Sequence, residues 1–412
     1  MQILVLNQYF HPDFASTGQL LTELCEDLSG EHEVTVVCGR PSYDPLETAV
    51  GRRRFLTRDR HGRVTVLRTW STSFPRRNMG GRLVNYATYM VSCLWGAFRA
   101  DRPDVILTMT DPPLVATAAL VVSRLRRAPF VYICQDIIPE NALAVGQLRE
   151  GLLTRGLAQL NRMLRARAAI VVAIGRDMRD KLVALGTPWD RIRVIPNWAD
   201  GRAVQPLRDP SPFRAEHGWD SRFVVMHSGN VGRAQGLASL VEAAALLAED
   251  TDILISIVGE GASKPALQER VRTLGLDNVV FLPYQPKDSL ADSLGAADVH
   301  VVSWKRGLAG YALPSKIYGI MAAGKPFIAA IEEGSEPALL VEEHSCGIRV
   351  EPEDPRALAD AVRSIRQMDV GQMGMRGRDA FERLFDRPIA TAAYADLLER
   401  VARLHAPPEL RK

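Results

Sequence analysis

Cysteine is scarce in this chain. Its five cysteines, among 412 residues, stand far apart and without the paired C-x-x-C spacing of zinc sites, at positions 25, 38, 93, 134 and 346. Scattered single thiols are typical of proteins that stay reduced, which argues against a disulfide-rich secreted scaffold. No cysteine or histidine cluster with metal-ligand spacing is present either, so we expect neither a bound metal nor a cofactor.

Long apolar runs are missing as well. The uncharged stretch 83–98 has 16 residues, fewer than the ~20 that a membrane-spanning helix needs. The first residues, MQILVL, lack the basic region and cleavage site of a signal peptide and are predicted to form a strand. That strand leads into 7–13 and not into G-x-G-x-x-G, which disfavours a nicotinamide oxidoreductase. A cytoplasmic location is expected.

Positive charge is concentrated in one region, although the net charge is only +3. Between 51 and 82 ten arginines accompany one acid, Asp59; they stand at 52, 53, 54, 58, 60, 63, 68, 76, 77 and 82. The next stretch, 83–98, is uncharged and rich in aromatic residues. Two interpretations remain open: a buried helix beside a solvated basic loop, or a peripheral face (52–98) that contacts the inner membrane surface. Nucleic acid is not expected, because no recognition motif accompanies the arginines.

Short β-rich runs alternate with helical stretches along the whole chain, which predicts an α/β fold with doubly wound parallel sheets. A chain of 412 residues exceeds the ~250–300 at which a single core stops growing. The proline-rich segment 196–212 is predicted to be a linker. We therefore expect Rossmann-like domains at 1–200 and 201–385 facing across a cleft. A C-terminal helix within 386–412 is expected to pack back on the first domain.

Three predicted strands of the second half end in turns suited to a ligand. The first is followed by SGNVGRAQG at 228–236, the second by VGEG at 258–261 and the third by Pro283 and Tyr284. Glycines let the backbone approach a ligand closely, and an arginine such as Arg233 offers several donors to phosphate oxygens. Each turn alone also fits an ordinary tight turn. Because the carboxyl ends of parallel strands share one sheet edge, all three are expected to face one crevice.

A fourth passage is more specific. A glycine-rich loop from residue 307 runs into Pro314, Ser315 and Lys316, opens a helix that ends near Gly324, and is followed by a buried strand. This order places backbone N–H groups and a lysine at a helix start beside the sheet edge. Such geometry binds anions, and diphosphates in particular.

With these motifs in hand, the whole chain resembles the GT-B glycosyltransferases of family four, in the branch that builds bacterial O-antigen, capsule and exopolysaccharide. The resemblance rests on five stretches in the family's order: YFHPD at 9–13 with Thr17 and Gly18, QDIIPE at 135–140, 229–236, 258–261 and LPSKIYGIMAAGKP at 313–326. It implies two Rossmann-like domains and transfer of a sugar from a nucleotide diphosphate. It also implies retention of configuration without a catalytic metal.

The resemblance assigns the donor site residue by residue. It implies contacts with the nucleotide sugar from Gly18, Gly229, Gly232, Arg233, Gln235, Gly259, Tyr284, Pro314, Ser315 and Lys316. Arg233 is expected to contact the diphosphate. The family usually has a lysine where Gln235 stands, and we expect Lys316 to restore that charge. Preorganised cations of this kind stabilise the leaving diphosphate, which is the main requirement of the reaction.

One family feature is absent. Many members carry two glutamates eight positions apart, and here those positions hold Tyr311 and Gly319. Since the second glutamate usually holds the donor ribose, ribose recognition must differ, and Glu336 or Glu342 is a candidate replacement. The departure also keeps open a second function, that of a non-catalytic GT-B scaffold in a polysaccharide assembly complex.

Candidates in the first half are less specific. Asp136 and Glu140 follow a predicted strand and either orient an acceptor hydroxyl or cap a helix. His11 is either catalytic or an ordinary surface histidine, and Thr17 either meets donor phosphates or caps its helix. Asp111 is favoured as a helix cap before Pro112. Arg233, Lys316, Asp136 and His11 are the predicted catalytic residues.

The sequence thus predicts a peripheral membrane enzyme on the inner face of the cell membrane. Its donor would be a UDP-sugar of an N-acetylated or 6-deoxy hexose, and its acceptor a lipid-diphosphate-linked saccharide that enters near 52–98.

Overall fold

The computed structural model describes residues 1–13, 16–41, 55–74, 79–110, 112–207 and 211–405, with only the backbone of Met79 and Arg82. Its strands are short and mostly apolar; they are β1 (Gln2–Leu6), β2 (Glu33–Cys38), β3 (Leu56–His61), β4 (Val64–Thr69), β5 (Val105–Thr108), β6 (Phe130–Cys134), β7 (Ile170–Ala173), β8 (Ile192–Val194), β9 (Phe223–Ser228), β10 (Ile253–Val258), β11 (Val279–Leu282), β12 (Val299–Ser303), β13 (Phe327–Ala330) and β14 (Gly347–Val350).

Helices connect nearly all of these strands. They are α1 (Ser16–Leu28), α2 (Met79–Arg99), α3 (Val115–Arg126), α4 (Glu140–Ala144), α5 (Leu152–Arg167), α6 (Arg176–Ala184), α7 (Pro212–His217), α8 (Ala238–Leu246), α9 (Lys264–Leu274), α10 (Leu290–Gly295), α11 (Lys316–Ala322), α12 (Glu336–His344), α13 (Pro355–Arg366), α14 (Val370–Leu384) and α15 (Arg387–His405). Local signals explain several starts. For example, the Asp354 carboxylate accepts the N–H groups of Arg356 and Ala357 at the start of α13.

Within the described residues, the first half forms an eight-stranded sheet in the order β3-β4-β2-β1-β5-β6-β7-β8. All its pairings are parallel except β3 with β4. In the centre, Val5 is in register with Val36 on one side and Leu107 on the other. Such strands are apolar on both faces because helices cover both sides of the sheet.

The second half forms its own sheet of six parallel strands among the described residues, in the order β11-β10-β9-β12-β13-β14. In β10 every residue is buried. The strand order reverses direction between β9 and β12, the point where ligands bind in open parallel sheets. The two parallel-sheet domains confirm the predicted fold class.

The two connections between the domains lie side by side. Ala199, after β8, forms a bridge with Asp386, before α15. Helix α15 then packs on the first domain, where Tyr394 contacts Trp198 edge to face with ring centroids 6.0 Å apart. The Arg387 guanidinium also forms an ion pair with Asp27, at 2.7 Å. The chain therefore crosses from one domain to the other twice at a single place.

The basic region, which is a solvated loop in one of the two interpretations of the sequence, contains a strand. The edge strand β3, Leu56–His61, pairs antiparallel with β4 although four of its six residues are charged or histidine. An edge strand exposes one side to water, so polar side chains are tolerated there. The arginines at 52–54, 76 and 77, and Asp111, lie outside the described residues.

Candidate active site

The turns after β9, β10 and β11 are hydrogen-bonded to one another in series at the carboxyl edge of the second sheet. The Gly229 N–H donates to the Val258 carbonyl, and the Gly259 N–H donates to the Leu282 carbonyl, each at 2.9 Å. The ends of three neighbouring strands are therefore joined by backbone hydrogen bonds at the place where the donor crevice is predicted.

Two glycines are required by this close packing. A Cβ on Gly259 would lie 1.9 Å from the Gly229 carbonyl oxygen, and the φ of Gly259 is +141°. A Cβ on Gly261 would lie 2.3 Å from the Val231 carbonyl oxygen. No other residue type fits at such distances from a neighbouring backbone.

The loop that carries Arg233 is held by Gln235. The buried Gln235 side chain accepts the Gly232 N–H through Oε1 at 3.0 Å, and its carbonyl accepts the Ser303 hydroxyl at 2.7 Å. Gln235 thus shapes the loop from inside, in place of the cation that the family usually has there. Arg233 is exposed at the turn between these residues, where its side chain is accessible to a ligand.

Lys316 begins α11 and turns its ammonium inward onto the first of these loops. Its Nζ lies 3.1 Å from Nε2 and 3.3 Å from Nδ1 of His227, a fully buried residue of β9. A Cβ on Gly229 would lie 3.3 Å from the same Nζ. Burial lowers the pKa of Lys316 to about 7 and holds the pKa of His227 well below its usual value. The predicted lysine therefore lies against the predicted glycine loop.

The start of α1 in the first domain faces the start of α11 in the second. The hydroxyl oxygens of Ser16 and Ser315 are 3.5 Å apart, across the cleft. Gly18 is buried in the first turn of α1, where a Cβ would lie 3.4 Å from Tyr9 Cβ. The first turns of α1 and α11 therefore meet across the cleft, and a helix start favours an anion.

Asp136 lies where the two domains touch. It forms a bridge with Ala312, and the next residue, Ile137, donates its N–H to the Tyr311 carbonyl at 2.8 Å. The Asp136 carboxylate accepts the Asn141 amide at 2.8 Å. Glu140, on the same turn, has a buried Oε2 that accepts no hydrogen bond from any described residue. Asp136 is thus brought beside the loop that leads to Lys316.

A second interdomain contact uses one of the predicted ribose ligands. Glu336 is buried and forms an ion pair with Arg176 of the first domain at 3.0 Å. The neighbouring Asp177 carboxylate accepts the N–H groups of Gly310 and Glu336, each at 3.1 Å. Glu336 therefore joins the domains in this structure, while the alternative, Glu342, is exposed on α12.

The remaining predicted residues lie further apart. His11 is exposed and its ring packs on His61 of β3, with centroids 4.2 Å apart. Tyr284 is 53% exposed after β11, with its hydroxyl 3.4 Å from the Glu260 carbonyl oxygen. Tyr284 is thus exposed directly after the third strand of the series, whereas His11 contacts the edge-strand region.

Sequence reasoning missed His227 and Asp177. His227 stands directly before the glycine loop at the end of an apolar strand, which is an unusual position for a polar ring. This position could have identified His227 as a candidate site residue from the sequence. Asp177 gives no comparable signal, because an acid in the first turn of a helix is ordinary.

Among the described residues, this site contains no cluster of metal ligands. The described part of the chain also has no membrane-spanning helix. None of the helices in the described ranges is both long and apolar enough to cross a bilayer. The grouping of described side chains that suits a metal ion consists of Glu31, His32 and Glu399, on α15 and the turn after α1.

Solved structures share this architecture over nearly the whole chain. The Anabaena protein HepE, solved in complex with UDP and glucose, has a TM-score of 0.74 at 19% identity, covering 97% of this chain and 100% of that one. Sucrose-phosphate synthase from Thermosynechococcus elongatus has a TM-score of 0.76 at 18% identity, covering 97% and 99%. These matches identify the fold as GT-B.

Two family models match consecutive parts of the chain: the glycosyl transferase 4-like domain at 17–198 and the glycosyl transferases group 1 domain at 222–367. The chain belongs to the GT-B glycosyltransferases. WcaI of Escherichia coli K12, a glycosyl transferase named for colanic acid biosynthesis, is 28% identical over 88% of this chain and 91% of its own length. WbjE of Pseudomonas aeruginosa, named as a glycosyltransferase, is 29% identical over 72% and 74%.

Proposed function

We propose that this GT-B protein is a retaining glycosyltransferase that uses a UDP-sugar of an N-acetylated or 6-deoxy hexose. Its acceptor would be a lipid-diphosphate-linked saccharide in the synthesis of a bacterial surface polysaccharide. The observation that carries this proposal is the position of Lys316 on the Gly229 loop, beside Ser315, which faces the start of α1. The name of WcaI and the UDP complex of HepE support the pathway and the donor.

The proposed chemistry needs charge stabilisation more than a protein base. In the retaining route, the acceptor oxygen attacks the anomeric carbon on the face from which the diphosphate leaves. The bond from the anomeric carbon to the phosphate oxygen breaks, and a phosphate oxygen takes the acceptor proton. Arg233, Lys316 and the N–H groups at the start of α1 would hold the negative charge that develops, so no metal is required for that step.

The acceptor would bind on the side of Asp136 and Glu140. The Oε2 atom of Glu140 is a buried acceptor without a donor among the described residues, and buried polar atoms normally have a partner. A sugar hydroxyl would supply that donor. Asp136, fixed by Asn141 beside the Lys316 loop, would orient a second hydroxyl.

The scaffold function keeps one specific observation in its favour. Tyr311 occupies a glutamate position of the family, and here its carbonyl accepts the Ile137 N–H while its ring lies 4.9 Å from Lys181 Nζ. That position thus serves a contact between the domains. Gly319, at the other glutamate position, has no side chain to offer a ribose.

A panel of UDP-sugars tests the proposed function. We expect one UDP-sugar to raise the melting temperature most and to be hydrolysed slowly, with transfer when a lipid-linked acceptor is added. In calorimetry, Arg233→Ala should weaken its binding by at least about tenfold, because a charge-assisted hydrogen bond is lost. Arg272→Ala, which removes the same charge from an exposed position on α9, is the matched control and should bind as the parent does.

Two results would contradict this assignment. Binding without any hydrolysis or transfer across the panel would favour the scaffold function. Equal binding by the parent and Arg233→Ala would remove Arg233 from the donor site.

Membrane association is part of the proposal and rests on helix α2. Its inner face is buried, with the Tyr89 hydroxyl donating to the Val37 carbonyl at 3.2 Å. Its outer face exposes apolar side chains at helical spacing, at positions 83, 84, 91, 95 and 98. The Arg99 and Arg126 guanidinium groups lie over the rings of Trp95 and Phe98, at 4.6 and 5.4 Å. An apolar stripe bordered by arginines is suited to an anionic membrane surface.

Sedimentation with vesicles tests this face. Val91 is 68% exposed, so Val91→Glu should leave the fold intact. We expect it to weaken binding to vesicles of anionic phospholipid by about tenfold, because an apolar contact is lost and a repelled charge is added. Leu246→Glu, an equivalent change at an exposed position at the end of α8 in the second domain, is the control. Equal binding of both variants would exclude α2 as the membrane face.

A further inference from the structure

The contact between Lys316 and His227 is not explained by the donor site as the family describes it. The two side chains lie on different elements, α11 and β9, and both are basic. Within the described residues no carboxylate lies within ion-pair distance of the Lys316 ammonium. A lysine buried in this way needs an acceptor, and the imidazole supplies it.

The hydrogen bonds around His227 determine its state. Its Nε2 lies 3.3 Å from the Asn230 carbonyl oxygen, to which a ring N–H donates. Lys316 Nζ lies 3.1 Å from Nε2 and 3.3 Å from Nδ1, so it contacts both ring nitrogens, and the nitrogen that carries no proton is its acceptor. A second proton on the ring would place two positive charges in contact, so His227 stays neutral while Lys316 is charged.

The other titratable groups near Lys316 and His227 are also basic, so none of them offsets the positive charge of the Lys316 ammonium. His300, buried on β12, has its Nε2 3.0 Å from the Leu294 carbonyl oxygen, and burial lowers its pKa to about 3. Lys325, after α11, adds a repulsive charge near His300. The surroundings of Lys316 therefore favour the neutral amine until an anion arrives.

We propose that His227 is the positioning residue that holds the Lys316 ammonium on the diphosphate side of the Gly229 loop, and that donor binding is coupled to uptake of one proton by Lys316. This inference rests on the proposed function, since it requires a diphosphate at Lys316. The proton comes from solvent, and it converts the amine to the ammonium that contacts the phosphate oxygens.

The pH dependence has a definite sign. Because the pKa of Lys316 is lowered to about 7 in the free protein, the free site is charged below pH 7 and mostly neutral above it. A bound diphosphate favours the charged form, so affinity is greatest below pH 7. Above pH 7 it should fall by up to about tenfold per pH unit, because binding must then include protonation.

Calorimetry with UDP-N-acetylglucosamine between pH 5.5 and 8.5 tests the inference, since both phosphates of this donor stay ionised throughout. In buffers of different ionisation enthalpy, the parent should take up close to one proton per donor at pH 8 and almost none at pH 6. Lys316→Arg, whose charge is permanent, should bind with little proton uptake and a flat pH profile.

His227→Leu removes the acceptor and should lower affinity by about tenfold at pH 8 and much less at pH 6, because the ammonium loses its hydrogen bond and releases its proton more readily. His227→Asn keeps an acceptor and should restore the parent profile. Melting temperatures check that both variants fold. If His227→Leu does not fold, the pH profiles of His227→Asn and Lys316→Arg still test the proposal.

The possible outcomes distinguish a failure of the role of His227 from a failure of the proposed function. Binding of UDP-N-acetylglucosamine with no proton uptake by the parent, or a His227→Leu profile that parallels the parent profile at a constant offset, would overturn the role of His227 and leave the proposed function standing. No binding by the parent of UDP-N-acetylglucosamine or of any other UDP-sugar in the panel would overturn both.

Discussion

Lys316→Ala is expected to lower the rate of sugar transfer by about 10²–10³-fold, the usual effect of removing one preorganised donor from a developing oxyanion. The ammonium lies on the Gly229 loop, and the neighbouring Ser315 hydroxyl approaches Ser16 at the start of α1. Without it the leaving diphosphate loses a preorganised cation. Steady-state transfer from the preferred UDP-sugar to a lipid-linked acceptor measures the effect.

Lys316→Arg is the matched control, because it keeps a positive charge at the same position. It should retain most of the transfer rate near neutral pH. The alanine variant should fold as the parent does, since it removes a buried charge that is costly to desolvate. A Lys316→Ala enzyme with the parent's rate would exclude Lys316 from the reaction.

Gly259→Ala is expected to destabilise the second domain by at least about 4 kcal/mol, a loss that only severe steric or backbone conflicts cause. The added Cβ would lie 1.9 Å from the Gly229 carbonyl oxygen, and the backbone has a φ of +141°. Both loops would have to move, and the donor crevice with them. Urea denaturation followed by fluorescence and by UDP-sugar binding measures the loss.

Gly319→Ala is the control for this prediction. Its Cβ would lie 3.5 Å from Leu294 Cδ1, an ordinary contact, and no positive φ is required there. Replacing a helical glycine by alanine is expected to stabilise α11 by up to about 1 kcal/mol. If Gly259→Ala were as stable as Gly319→Ala, the backbone contact between the two loops would not be a constraint.

Much of the architecture was predictable because parallel strands are continuous apolar runs. The strands β6 and β10 are buried along their whole length, and their pattern differs clearly from the amphipathic helices around them. β3 was missed because three of its six residues are arginine or aspartate. At the edge of the sheet, it is the hydrogen bonding to β4, and not the burial of apolar side chains, that makes this segment a strand.

The candidate site was predictable in part for a related reason. Glycines after consecutive parallel strands must meet at one sheet edge, so the series from Gly229 to Gly259 follows from the topology alone. The burial of Lys316 on His227 does not, because it depends on the angle at which α11 leaves the sheet. The same holds for Glu336, which was a ribose candidate by its position but forms an ion pair with Arg176 across the domains.

The sequence by itself determined the two α/β domains, the glycine turns and the helix start at Lys316, because these depend on residue type and spacing over short stretches. The tertiary structure alone decided which distant residues meet: Ser16 with Ser315, Asp136 with Ala312, and His227 with Lys316. Such contacts depend on how two domains and their helices are oriented, and no local pattern of residues records that orientation.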